Sequence, residues 1–341
     1  MTIRVYENRI DFGNYSLIVD NIGISVRAAN SNTFGTLTAA SLEALNYPFQ
    51  GTVAGFTSGG WLPPASNVID RFPFANVVTN AYDHGDLSVT RIHTGFHSSS
   101  EYGYTSGGYT APGASSNVID KFPFAISSNA VDVADITIAK FGVSGHSSNT
   151  HGYLSAGYTP AALTAIEKFL FASDTNATSV GNVTQARYYG TGHSSGTHGY
   201  TVGGLSSNVI DKFPFAVDAN STDVGDILSA SDYQIAAGIS SQHHGYVAGG
   251  GYPAGNSNVI QRFSFITNQN SVDIGDLTAG RSGAAGVSST VEGFVTGGAT
   301  APYTIQNIID KFPFAASDGA YLCRDVGDLT QSRAYMYGQQ D

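Results

Sequence analysis

The chain has 341 residues, 41 of them glycine, with only 12% charged residues and a formal net charge of −11. That balance argues against nucleic acid or an anionic membrane as a partner, because both select basic surfaces. No run of about 18 apolar residues exists, so no membrane insertion by a helix is expected, and the one cysteine, Cys323, excludes an internal disulfide framework.

Residues 1–45 match nothing later in the chain. Val5–Phe12 and Tyr15–Val26 alternate apolar and polar positions well enough for two or three strands, and Ala28–Thr38 reads as a linker. The opening MTIRVYENRIDFGNYSLIVD carries polar residues through its apolar positions and has no h-region, so no secretory signal is expected. A small strand-rich piece of this kind is expected to attach the chain to other proteins or to make a homo-oligomer.

Residues 46–341 repeat. The string Asn-Val-Ile-Asp-Lys-Phe-Pro-Phe-Ala recurs around Phe72, Phe122, Phe169, Phe213, Phe263 and Phe312, at intervals of 50, 47, 44, 50 and 49 residues. Gly-Tyr/Phe-x-x-Gly-Gly begins at Gly55, Gly103, Gly152, Gly199, Gly245 and Gly293, with Ala156 replacing one glycine. Asp-x-Gly-Asp-Leu, with some substitution, ends at Leu87, Ile136, Val183, Ile227, Leu277 and Leu329. Three strings in one fixed order, six times, define a repeat architecture.

Within the second unit the apolar runs are Ile92–His97, Gly103–Gly108, Val118–Phe124 and Val131–Thr137, separated by Gly, Ser, Asn and Pro clusters. Short strands joined by tight turns follow from that pattern, and no segment keeps a helical period. Four antiparallel strands per unit predict an all-β, six-bladed β-propeller. The chain runs on through Ala334–Gly338 after the last unit, so that segment is expected to supply the inner strand of the first blade beside Val53–Ser58, removing an open edge. Asn46–Gln50 is the weaker alternative.

These units resemble the kelch and galactose-oxidase type of propeller over roughly residues 50–341. The matching elements in the second unit are Gly107-Gly108, the aromatic Phe122, the fourth strand Val133 to Ile136, and the basic Lys140. The fourth-strand Trp of that family is absent, and Val or Ile takes its place. Galactose oxidase holds copper with Tyr, His and a Tyr–Cys crosslink, but Cys323 falls in a third-to-fourth-strand connection. No sialidase-type Ser-x-Asp-x-Gly-x-x-Trp box is present either.

Other candidates for chemistry dissolve when the six copies are compared. Gly192-His193-Ser194-Ser195-Gly196 matches a nucleophile elbow, which needs a strand–turn–helix setting. Its equivalent Gly145-His146-Ser147-Ser148-Asn149 marks it as a repeat turn. His97, His146 and His193 share a position that becomes Ile239 and Val287, so a packing role is expected over metal binding. A central-channel enzyme site built on His146 and His193 is the alternative. Basic residues precede each Phe pair (Arg71, Lys121, Lys168, Lys212, Arg262, Lys311) and follow five of the six Asp-Leu strings (Arg91, Lys140, Arg187, Arg281, Arg333, with Ser231 the exception). With Asp70, Asp120, Asp211 and Asp310 also recurring, ion pairs within and between blades are expected.

What breaks the repeat is the connection after each Gly-Gly. Trp61, Tyr109, Tyr158, Tyr252 and Tyr303 lie there and are expected to ring one face as a ligand-binding surface, with no catalytic residues, no metal and no cofactor. The chain is also similar in style to repeat-rich virion structural proteins of marine bacteriophages: rich in Gly, Ser, Thr and Asn, poor in Lys, with a separate N-terminal piece. That resemblance implies a fibre or decoration protein on the virion surface. Residues 1–45 would dock it to other virion proteins, and the propeller would bind a host-surface glycan or protein. An ordinary kelch-type interaction propeller, cytoplasmic or extracellular, is the alternative.

Overall fold

The computed structural model describes residues 3–6, 9–12, 15–20, 23–28, 35–37 and 50–341, apart from 76–79, 111–112, 206, 230–234, 252–254 and 316–320. No helix occurs among them. The chain divides into two compact units, Met1–Tyr47 and Pro48–Asp341.

The first unit is a five-stranded antiparallel meander of Ile3–Tyr6, Arg9–Phe12, Tyr15–Asp20, Gly23–Ala28 and Gly35–Leu37. Two expectations fail here. There are five strands rather than two or three, and the stretch read as a linker contains the fifth, which pairs Gly35 with Val26 and Leu37 with Ile24.

Among the described residues the second unit contains six sheets built on four antiparallel strands, one of them extended by the parallel strand Tyr321–Leu322, and two small sheets of three and two strands. Sheet two is Gly95–Ser98, Tyr102–Ser106, Val118–Pro123 and Val131–Asp135. Sheets three to six begin at Ser144–Ser147, Thr191–Ser194, Ala237–Ser240 and Ala285–Ser288 and run through three more strands in chain order. Sheet one takes its first strand from the far end of the chain. Tyr337–Gln340 pairs with Ala54–Ser58, followed by Val68–Pro73 and Tyr82–Asp86. The pairing partner is as expected, but the strand starts three residues later than Ala334.

The recurring strings are explained by how neighbouring sheets meet. In sheet four Gly199 stands opposite Phe213, and the Phe213 ring lies over it so closely that a Cβ there would sit 2.3 Å from the ring. The same ring and Phe215 then clamp Tyr153 of sheet three, at centroid distances of 5.7 and 4.8 Å. Phe122 and Phe124 hold Phe56 in the same way, and Phe72 and Phe74 hold Phe294 of sheet six, so the last sheet docks on the first. Glycine is needed to admit the ring, and the ring is needed to grip the next sheet. All six Phe of the set are buried, as the sequence predicts.

Beneath this aromatic layer runs a set of buried ion pairs. Arg91–Asp120, Lys140–Glu167, Arg187–Asp211, Arg281–Asp310 and Arg333–Asp70 lie 2.5–2.9 Å apart with side chains at most 1% exposed. Each carboxylate also accepts an amide from the segment that carries its cation, such as Ser88 N for Asp120 and Thr330 N for Asp70. Where Ser231 replaces the cation, sheet five carries Gln261 in place of the acid, and it still accepts the Leu228 amide. Charge is lost from both partners together, as it must be where an unpaired buried charge would cost several kcal/mol. Lys121–Asp174 and Lys168–Asp218 are exposed pairs between adjacent sheets and contribute little.

Two closed hydrogen-bond circuits run through the six sheets. In one, the amide of Ser98 donates to Ser147 Oγ, Ser147 to Ser194, Ser194 to Ser240, Ser240 to Ser288, Ser288 to Gln340 Oε1, and Gln340 back to Ser98, at 2.9–3.3 Å. In the other, main-chain amides donate to main-chain carbonyls: Gly142 to His93, Tyr189 to Gly142, Ile235 to Tyr189, Gly283 to Ile235, Tyr335 to Gly283 and His93 to Tyr335, at 2.7–3.2 Å. All six residues of this second circuit have φ between 56° and 68°. Between the circuits the innermost strands touch backbone to backbone, since a Cβ on Gly192 would stand 2.0 Å from Gly145 O. The void left there is about 20 Å³, room for about one water.

Candidate functional site

The main-chain circuit organises one face of the second unit. The residue before five of the six circuit members is held by the loop that follows a Gly-Gly. Trp61 exchanges two hydrogen bonds with Ala334, Tyr109 pairs with Ile92, Tyr158 exchanges two with Phe141, and Ala299 exchanges two with Ser282. Leu205 donates to Tyr188. Five of the variable loops thus meet the backbone beside this small circle.

On that face aromatic rings run edge to edge. Tyr109 meets Phe141 at 5.2 Å, Phe141 meets Tyr158 at 5.4 Å, and Tyr158 meets Tyr188 at 4.9 Å. Tyr188 meets Tyr189 at 4.6 Å, and the His93 imidazole lies between Tyr189 and Tyr335 at 4.6 and 4.7 Å. Burial holds His93 down to about 3, so it is a neutral ring at physiological pH. Of the five residues singled out from the sequence, Tyr109 and Tyr303 are exposed, while Trp61 and Tyr158 are half-buried. Tyr252 lies outside the described residues.

Tyr303 and Tyr335 both line a depression of about 170 Å³ whose remaining lining includes Asn256, Ser282 and Thr300. Tyr303 has φ 133°, a conformation that a bulky side chain rarely adopts. The chain matches no family model and no curated protein. The chemistry of the face has to be read from its own residues.

The loops that follow the Gly-Gly strings are free of charged side chains. The loops 61–67, 109–117, 158–164, 205–208, 251–258 and 299–307 contain no Asp, Glu, Lys, Arg or His. The cations nearest to them, such as Arg91 and Arg333, are buried in their ion pairs. Exposed acids stand instead on the outermost strands, among them Asp83, Asp132, Asp223, Asp273 and Asp325.

His146 and His193 are among the residues lining the small void between the innermost strands. They are buried between sheets, with rings edge-on to Phe213 and Phe263 at 5.0 and 5.1 Å. The Nδ1 of His146 faces the His193 carbonyl and its Nε2 faces Ser155 Oγ, so Nδ1 carries the proton. A carbonyl can only accept. Ser195 Oγ, inside the nucleophile-elbow match, caps its own turn by accepting the His198 amide. Cys323 is half-buried, and burial pushes its thiol up to about 12. Among the described residues no group of three His, Cys, Asp or Glu could hold a metal.

Comparison of strings missed the six circuit positions. His93, Gly142, Tyr189, Gly283 and Tyr335 each fall two residues after a recurring basic residue, and that spacing was the available signal.

Proposed function

We propose that the second unit is a six-bladed, kelch-like β-propeller that recognises a ligand without transforming it, using the loop face around the main-chain circuit. The observation that carries this reading is the run of partly exposed aromatic rings on that face, beside the loops that break the repeat most. Such rings lose little conformational entropy on binding and make efficient contacts to glycans or proteins. The closed order of the six sheets supports the propeller, because every sheet has a neighbour on both sides.

The narrower reading is a virion fibre or decoration protein, with residues 1–45 docking on other virion proteins and the loop face meeting the host surface. It rests on composition and on the separate strand-rich first unit. The test is a variant carrying Trp61→Ala, Tyr109→Ala and Tyr303→Ala. It should lose binding to the cell or partner that the native chain binds, with its melting temperature nearly unchanged. Retained binding would mean that another surface does the work.

A further inference from the structure

We propose that the loop face takes a neutral saccharide chain, one sugar ring of which sits in the depression lined by Tyr303 and Tyr335. The proposal rests on the recognition reading above and narrows its ligand.

The first argument is charge. The chain carries −11, yet none of the six loops bears an Asp, Glu, Lys, Arg or His. A charged ligand landing there would lose water and meet no counter-charge, which is costly. An acidic polymer would in addition meet the repulsion of the net negative chain. A ligand made of hydroxyls and C–H faces suffers neither penalty.

The second argument is shape and lining. About 170 Å³ is less than the roughly 300–1,000 Å³ that holds a drug-sized molecule, so the depression suits one ring of a longer chain. Two tyrosines in the lining supply the aromatic surface that the C–H side of a sugar stacks on, while Asn256 and Thr300, which hydrogen-bond within the loops, bring neutral polar groups rather than charges. Tyr303 is 53% exposed and is held in a backbone conformation that its side chain disfavours, so the loop presents this ring outward at a cost. The third argument is extension. The chain of ring contacts from Tyr335 through the buried His93 to Tyr189, Tyr188, Tyr158, Phe141 and Tyr109 includes further partly exposed rings on which other sugars of the same chain can lie.

The experiment is affinity electrophoresis of the full chain in gels containing dextran, mannan, galactan or xylan, and in parallel gels containing polygalacturonate, alginate or heparin. At least one neutral polymer should retard the protein, equally from about 0.05 to 0.5 M salt, because no charge is screened. Tyr303→Ala should weaken that retardation about tenfold, equivalent to ~1.4 kcal/mol, while Tyr303→Phe should keep it and both variants should melt like the native chain. Retardation only by acidic polymers, or by no polymer at all, overturns the proposal, as does neutral-polymer binding that survives Tyr303→Ala. A protein ligand lost in the triple aromatic variant, with no neutral glycan bound, would leave recognition standing and sink the saccharide.

Discussion

The Arg333 guanidinium reaches Asp70 at 2.7 Å, 263 positions earlier in the chain, with both side chains fully buried. The contact joins the last repeat to the first, and it is chemically the same contact that Arg91 makes with Asp120 inside the chain. A seam between the two ends of the repeat is thus built like any other boundary.

Removing one member of such a pair leaves the other charge buried alone. Arg281→Ser or Asp310→Gln should each cost about 3–5 kcal/mol in urea unfolding. The double variant Arg281→Ser/Asp310→Gln copies sheet five, where Ser231 and Gln261 stand in place of the pair. It should cost clearly less than the sum of its parts, and simple additivity would disprove the account.

Deleting residues 333–341 removes the strand Tyr337–Gln340 and exposes the edge of Ala54–Ser58. It also breaks both circuits, at Tyr335 and at Gln340. The truncated chain should lose its single cooperative melting transition in calorimetry. Melting like the full chain would show that the seam contributes nothing.

Gly199 and Phe213 should behave as a unit. Phe213→Ala should cost about 3–5 kcal/mol, because the ring is buried against Tyr153 and His146. Gly199→Ala should also destabilise, since its Cβ would meet the ring at 2.3 Å. Adding Phe213→Leu should recover part of that loss. If Phe213→Leu makes the alanine variant worse, the strain lies elsewhere.

Stability should fall in mild acid. Burial lowers His97, His146 and His193 from 6.5 to about 4, 3 and 4, so the folded chain resists protons that the unfolded chain takes up. Their contribution is complete above pH 6.5 and is lost as the pH drops from there toward 4. Replacing all three with Ile, the residue that sheet five carries as Ile239, should flatten the fall in melting temperature across that window. An unchanged slope would assign the acid sensitivity to other groups.

The strand pattern of the six units was legible because each string encodes a contact that side-chain identity controls, such as glycine under phenylalanine. The start of the closing strand was misplaced because Ala334 is held by Trp61 and Tyr335 turns with φ 59°, so pairing cannot begin before Tyr337. The circuit that organises the loop face was invisible for a related reason. Its six members are His, Gly, Tyr, Ile, Gly and Tyr, which share a backbone angle and no side-chain chemistry. The aromatic loops were found because they interrupt the repeat, whereas Phe141 and Tyr188 were missed because they stand within it.

The glycine contacts between the innermost strands act as a ruler for the number of repeats. Gly145, Gly192, Gly238, Gly286 and Gly338 let each strand press directly on its neighbour's backbone. A seventh unit would widen the circle and pull serine hydroxyls away from the amides they now accept. Duplicating or losing a unit would therefore have to be matched by new side chains along every inner strand at once. The sequence can vary its loops freely, but its count is locked at the centre.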